Sequence, residues 1–275
     1  MNELALFAGA GGGILGSKIL GWRTVCAVEI DEYARNVLVA RQNDGTFPPF
    51  PIWDDVRTFD GRPWRGIVDV VSGGFPCQDI SVAGTGKGID GERSGLWSEM
   101  ARIVGEVRPR YVFVENSPLL VRRGLDRVLG DLAEMGFDAV WGVVGADDAG
   151  APHRRKRLWI LAYTDGVREL QSTESRDEKR DRSCNCRQDV ADAGGMRCER
   201  MAQEYETGTY KRQTGLRCRT RSPYLAEEWP PEPGVGRVVD GMAYRAHRIR
   251  ALGNGQVPRV AALAWRVLCG LKEMK

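Results

Sequence analysis

The chain has 275 residues, 42% of them hydrophobic, with 40 Lys and Arg against 37 Asp and Glu for a net charge of +3. That length buries a full core, and the mild positive balance neither demands nor excludes a nucleic-acid partner. No apolar run approaches the ~20 residues of a membrane helix, MNELALFAGAGG lacks the basic start of a signal peptide, and seven cysteines without framework spacing exclude a disulfide scaffold and point to free thiols in a reduced compartment.

Up to residue 163 short apolar runs alternate with helical patterns. Strands are expected at Leu4–Phe7, Val25–Val28, Ile67–Ser72, Tyr111–Val114, Val140–Val144 and Leu158–Tyr163. The clearest helical stretch is RRGLDRVLGDLAEM, which places Leu125, Val128, Leu129 and Leu132 on one face. This alternation predicts an α/β fold, a Rossmann-like, mostly parallel sheet with helices on both faces. Composition then changes: between Thr164 and Arg250 stand 17 Lys/Arg and 15 Asp/Glu with few apolar runs, which reads as loop or a small irregular lobe. A short echo, AYTDGVREL against ADAGGMRCE, is too brief for a repeat architecture. ALGNGQVPRVAALAWRVLCGL resumes a helical pattern, with Pro258 suited to a helix start. The expected organisation is a catalytic domain of residues 1–163 and 247–275, interrupted by a small insertion at 164–246.

In an open α/β sheet, ligands bind beyond the carboxyl ends of the strands. Four successive strands end there in residues fit for chemistry: AGAGGG, then Glu29, then GGFPCQD, then Glu115-Asn116. Gly11, Gly13 and Gly16 satisfy G-x-G-x-x-G, a weak signal by itself that gains from an acid after the next strand, where a carboxylate can accept both hydroxyls of a ribose. Glu29 reads equally as a solvated strand end, and Asp55 either caps a turn or meets an adenine amino group. Cys77 follows Gly73-Gly74-Phe75-Pro76; a core cysteine is the commoner reading, but a Pro-fixed, Gly-permitted exit presents a thiol outward. The cationic run His153-Arg154-Arg155-Lys156-Arg157 could favour its thiolate, or be a solvated turn or a phosphate contact.

The order FAGAGG, Glu29, GGFPCQD, Glu115-Asn116-Ser117, PHRRKR and ALGNGQVP resembles the cytosine-C5 DNA methyltransferases over residues 3–163 and 247–270. The resemblance implies methyl transfer from S-adenosylmethionine to C5 of a cytosine flipped out of double-stranded DNA, with the Cys77 thiolate adding to C6 while Glu115 stabilises or protonates N3. It carries Phe7, Ala8, Gly9, Ala10 and Gly11 over as the cofactor's methionine loop, Glu29 as the ribose acid and Ile30 as the adenine packing residue. Asp55 and Val56 become the adenine-amino contact, Pro76, Leu96 and Asn254 line the cofactor pocket, Asn116 orients the Glu115 loop, and Arg155 and Arg157 face the target base or the thiolate. Residues 79–95 correspond to a mobile loop that closes over DNA, with Ser81, Lys87 and Arg93 as candidate contacts.

Departures are His153 where the family has Gln, Ser117 where it has Val, and GNGQVP where it has GNS. Target recognition falls to residues 164–246, whose likeliest DNA stretch, TYKRQTGLRCRTRS, holds five basic residues and no acid, among them Lys211, Arg212, Arg217 and Arg219. Cys184, Cys186, Cys198 and Cys218 do not have zinc-ligand spacing, so no metal is expected. The chain is expected to be a monomer, free of membranes, in the cytoplasm of a bacterial or phage-infected cell and associated with the nucleoid; its compact length and reduced insertion suit a mobile-element or phage enzyme or a restriction-modification partner. A tRNA cytosine methyltransferase shares these motifs and is the nearest rival. A nicotinamide oxidoreductase leaves Cys77 and Glu115 without a role, and a binding-only relic leaves them without a reason.

Overall fold

A computed structural model describes residues 1–76, 95–164 and 243–273. In chain order they form β1 (Asn2–Leu6), α1 (Gly12–Ile19), β2 (Arg23–Val28), α2 (Glu32–Asn43), β3 (Ile52–Trp53), β4 (Val70–Gly73), α3 (Leu96–Val107), β5 (Tyr111–Asn116), α4 (Leu120–Arg123), α5 (Leu125–Glu134), β6 (Asp138–Val144), β7 (Arg157–Tyr163), α6 (Arg245–Asn254) and α7 (Pro258–Glu273). The strands make one sheet of order β3-β2-β1-β4-β5-β7-β6. All neighbours are parallel except β7, which runs antiparallel to both β5 and β6. The expected Rossmann-like, mostly parallel sheet is therefore present, with helices on both faces.

Local chemistry explains most of the boundaries. The Asp31 carboxylate caps α2 by accepting from Ala34 N at 2.9 Å, and Pro258 opens α7 with a φ already set for helix. The apolar run Ile67–Ser72 becomes strand only from Val70, because the amides of Ile67 and Val68 both turn back onto the Trp64 carbonyl at 3.1 Å. The helical stretch around residues 122–135 breaks at Gly124, whose φ of 149° no side chain tolerates readily. α5 resumes at once, with Leu125, Val128 and Leu132 buried as the pattern predicts. β3 has two residues and no alternation to announce it; it exists because Ile52 and Trp53 pair with Ala27 and Val28.

One face of the sheet, with Leu4, Leu6, Val71, Val112, Val114 and Ile160, packs on α3 through Trp97, Met100, Ile103, Val104 and Val107 and on α5. Each such side chain contributes ~1.5–3 kcal/mol relative to exposure. On the other face Ala5 and Ala27 meet Ile14 of α1 and Leu38 of α2, while Phe113, Trp159 and Leu161 meet α7. Trp265 of α7 is wedged edge-on against Trp22 and Phe113, with ring centroids 4.5 and 5.3 Å apart. α7 also crosses α1 closely: a methyl on Gly16 would stand 2.8 Å from Ala261 Cβ. The C-terminal segment is thus part of the core, on the side where the glycine loop lies. Among the described residues no helix is long and apolar enough to cross a membrane.

Candidate active site

The chain leaves β1 towards β2 and β3 on one side and returns to β4 and β5 on the other. A parallel sheet wound this way parts its loops between β1 and β4, and the crevice opens beyond their carboxyl ends. There the structure has an open cleft lined by Phe7–Gly9, Gly13, Ser72–Gly74, Glu115 and Asn254–Gln256. Phe7 and Gly9 both take left-handed backbone, φ 52° and 54°. For Phe7 this is strain of the kind that gathers at ligand sites. The space above Gly9 is open. Beside it, Glu29 accepts from Gly9 N at 2.7 Å through Oε2 and from Asp31 N at 2.8 Å through Oε1. Each oxygen keeps a further lone pair for a ligand hydroxyl.

Glu115 closes the inner end of the cleft. It is the penultimate residue of β5, on the face opposite Val114, is 9% exposed, and pairs through Oε1 with Arg157 Nε of β7 at 2.9 Å. Burial pushes its carboxyl up to about 7, and the guanidiniums of Arg157 and Arg155 and an amide hydrogen bond from Gln256 only partly oppose that. A carboxyl poised there can hold or give a proton near neutral pH. The next strand end abuts it directly: a methyl on Gly74 would stand 2.7 Å from Glu115 Oε2, and Asn116 Nδ2 donates to the Phe75 carbonyl at 3.1 Å. Gly74 and Phe75 lead into Pro76, the last described residue before Cys77. The root of the cysteine loop is therefore fastened to the residues that carry Glu115.

The third wall is C-terminal. Arg155, at φ 29°, donates from Nη2 to the carbonyls of Gly253 and Gly255 at 2.7 and 2.6 Å. This holds the end of α6 over the glycine loop. A methyl at Gly12 would be driven into the Gln256 carbonyl, and one at Gly13 would stand 2.6 Å from Gln256 Oε1. The second and third glycines of the G-x-G-x-x-G pattern thus admit the chain's own residues 256–261. Gly11, at φ 89°, is packed on Leu38 and Phe47.

Of the residues expected at the site, Phe7, Ala8, Gly9, Glu115 and Asn254 line the cleft together, and Glu29, Arg155 and Arg157 reach its walls. Ile30, 63% exposed, sits next to Glu29, where Arg35 of α2 donates to the carbonyls of both residues at 3.0 and 2.7 Å. Asp55 is held by Arg57 at 2.8 Å; the hydrogen bonds from Arg57 keep its carboxyl below the usual range. Its neighbour Val56 points into the core with Phe59. Leu96 opens α3 and packs on that core, and Ala10 and Gly11 are not among the residues that line the cleft. Cys77, Ser81, Lys87, Arg93, Lys211, Arg212, Arg217, Arg219 and the four cysteines weighed for zinc lie outside the described residues. Among those that are described, no cluster of His, Cys, Asp or Glu could hold a metal ion.

Two polar features have no counterpart in the expected site. One is Gln256, visible in sequence only as the odd residue in GNGQVP. The other is Glu3, 1% exposed on β1, which accepts from Ser17, Thr24 and Ser72 hydroxyls at 2.6, 2.7 and 2.6 Å. Burial raises its pKa against those three donors.

A Type II methyltransferase of Bacillus subtilis (strain 168), M2.BsuMI, is 34% identical over 170 residues, which is 59% of this chain and 42% of that protein. M.Eco47II of Escherichia coli is 36% identical over 168 residues, 58% of this chain and 38% of that protein. The matched region thus spans about two fifths of these relatives' length. The fold is similar to that of the Entamoeba histolytica methyltransferase EhMeth, with TM-score 0.51 at 16% identity over 66% of this chain and 55% of that one. The model of the C-5 cytosine-specific DNA methylases matches residues 1–229, and the chain belongs to that family.

Proposed function

We propose that the chain transfers a methyl group to C5 of cytosine in double-stranded DNA, using S-adenosylmethionine as donor. The observation that carries this reading is that Glu115 Oε2 stands 2.7 Å from where a methyl on Gly74 would be, which sets a proton-holding carboxyl beside the root of the Pro76-Cys77 loop. The cleft suits the donor: open space over Gly9, a glutamate with free lone pairs and an exposed Ile30 offer places for an amino-acid moiety, a ribose and an adenine. Phe7–Gly9 and Asn254 would hold the first, Glu29 the second and Ile30 the third. When bound, the cofactor supplies an electrophilic methyl group.

The remaining chemistry falls to the protein. Cytosine C5 is a poor nucleophile until the ring is activated. Cys77 Sγ, as thiolate, forms a bond to C6, and Glu115 gives a proton or hydrogen bond to N3, so that electron density gathers at C5. Once C5 has been methylated, loss of its proton and expulsion of the thiolate restore the ring. Arg157 keeps Glu115 aimed and limits the rise in its pKa. A target base must leave the duplex stack to reach such a cleft, at a cost of about a few kcal/mol that contacts made by residues 79–95 and 164–246 would offset. Residues 164–246 are proposed as the insertion that selects the target, and the enzyme as a monomer in a bacterial or phage-infected cell.

The test is methyl transfer from labelled S-adenosylmethionine to duplex DNA and to tRNA, with mapping of 5-methylcytosine in a methylation-free host. Label in DNA C5 supports the reading; label confined to tRNA, or none in either, overturns it.

A further inference from the structure

Gln256 occupies a position where three parts of the site meet. Its backbone carbonyl covers Gly12, its side-chain Oε1 stands 2.6 Å from where a methyl on Gly13 would be, and its Nε2 stands 3.3 Å from the corresponding point over Gly74. Glu115 Oε2 lies 2.7 Å from that same point. The amide therefore spans from the glycine loop to the β4 exit, with its donor end towards the carboxyl and hydrogen-bonded to it. It is fixed from behind as well, because Arg155 grips the carbonyls of Gly253 and Gly255 just before it. An amide held at both ends has little rotamer freedom left to lose, so its hydrogen bond is pre-organised.

We propose that Gln256 is a positioning residue for Glu115, a donor delivered by the C-terminal segment that orients the carboxyl towards the cleft and sets the pH range over which it exchanges a proton. The charged groups facing Glu115 among the described residues are Arg157 of β7 and Arg155 of the preceding loop. β4 and the glycine loop line the cleft with Phe7, Ala8, Ser72 and glycines and bring no charged side chain to it. Gln256 is thus the neutral donor in an otherwise cationic shell. A donor to the ionised carboxylate favours that form and opposes the effect of burial. Because the same residue roofs Gly12 and Gly13, seating of the C-terminal segment and proton affinity of the carboxyl are coupled. The inference depends on the methyl-transfer reading only where it calls the Glu115 proton catalytic.

The test is a ¹³C NMR titration of protein labelled at glutamate Cδ, with Glu115→Gln to assign the resonance, in wild type and in Gln256→Met. Methionine keeps the length of the side chain and removes the donor. The expected result is a Glu115 midpoint higher by about one pH unit, a tenfold change in the protonation equilibrium, and an alkaline limb of the kcat–pH profile displaced by the same amount. Gln256→Glu, which places a second carboxylate there, raises the midpoint further and serves where the methionine variant folds poorly; Gln256→Asn, too short to reach, behaves like methionine. A midpoint unchanged within about 0.2 unit in a folded variant overturns the proposal. The titration needs neither DNA nor methyl donor, so a shifted midpoint in a protein that methylates no DNA would sink the methyl-transfer reading and leave this one standing.

Discussion

Arg157 Nε lies 2.9 Å from Glu115 Oε1, yet the carboxyl it pairs with titrates at about 7 rather than at the ordinary 4.5. Desolvation outweighs the ion pair here, as expected where an acid is almost wholly removed from water and its partner is partly solvated. That imbalance gives a carboxyl the means to hold a proton at physiological pH while staying oriented.

Replacing the partner should expose the imbalance. In Arg157→Met the Glu115 carboxyl loses its largest opposing charge, and its proton affinity rises further. Chemical denaturation should show a loss on the order of 1–3 kcal/mol at pH 8, where a buried charge is left unpaired, and a smaller loss at pH 5, where the carboxyl is already neutral. Equal losses at both pH values would contradict this account.

The raised pKa also fixes the sign of a pH effect on stability. The folded state holds the Glu115 proton more tightly than the unfolded chain, so its contribution is fully present below 4.5 and is lost as pH rises through about 7. Glu3 titrates in the same direction, so the informative quantity is the difference between wild type and Glu115→Gln. The variant should gain relative to wild type between pH 5 and pH 7.5 by an amount on the order of 2–3 kcal/mol, measured by urea unfolding. The same substitution should lower methyl transfer by at least about 100-fold.

Cys77→Ala should reduce methyl transfer to background while leaving S-adenosylmethionine binding, read by calorimetry, within about threefold of wild type, since the lost group acts on the base rather than the cofactor. Wild type should form a denaturant-resistant adduct with DNA carrying 5-fluorocytosine at the target, because fluorine blocks the elimination step. Normal turnover in Cys77→Ala, or no adduct at a proven site, would remove the covalent mechanism.

The glycine loop offers a graded comparison. Gly12→Ala drives a methyl against the backbone carbonyl of Gln256, whereas Gly13→Ala meets the end of its side chain. A backbone carbonyl gripped by its neighbours cannot step aside, so Gly12→Ala should destabilise by about 2 kcal/mol or more and Gly13→Ala by less than about 1.5. Gly13→Ala should nevertheless alter the pH profile of activity, because it displaces the amide that meets Glu115.

Glu3 is a further test of buried polar chemistry. Glu3→Ala leaves the Ser17, Thr24 and Ser72 hydroxyls without their common acceptor and opens a cavity, for an expected cost of about 2–4 kcal/mol in denaturant unfolding. Glu3→Gln keeps the shape and one acceptor and should cost less than half as much.

Much of this architecture is legible in one dimension because periodicity and strand-end polarity are local. Leu125, Val128 and Leu132 announce their shared face, and Pro258 announces a helix start. Glu29, Cys77 and Glu115 stand immediately after apolar runs in an order that carries the family resemblance. Less is legible where a residue's role depends on a distant partner. Gly13 and Gly16 look like part of a ligand-binding glycine loop until residues 256–261 are seen to fill the space above them.

Fold class and the succession of chemistry-bearing strand ends followed from neighbours within a few residues, where apolar periodicity and strand-end polarity are local, and the order of those strand ends carried the resemblance that names Cys77 as nucleophile and Glu115 as acid. The proton affinity of Glu115, the grip of Arg155 on the end of α6 and the insertion of Gln256 between glycine loop and carboxyl depend on burial and on contacts spanning about a hundred residues or more. No local pattern encodes these, because desolvation and hydrogen bonding are set by whatever the fold brings within about 3 Å.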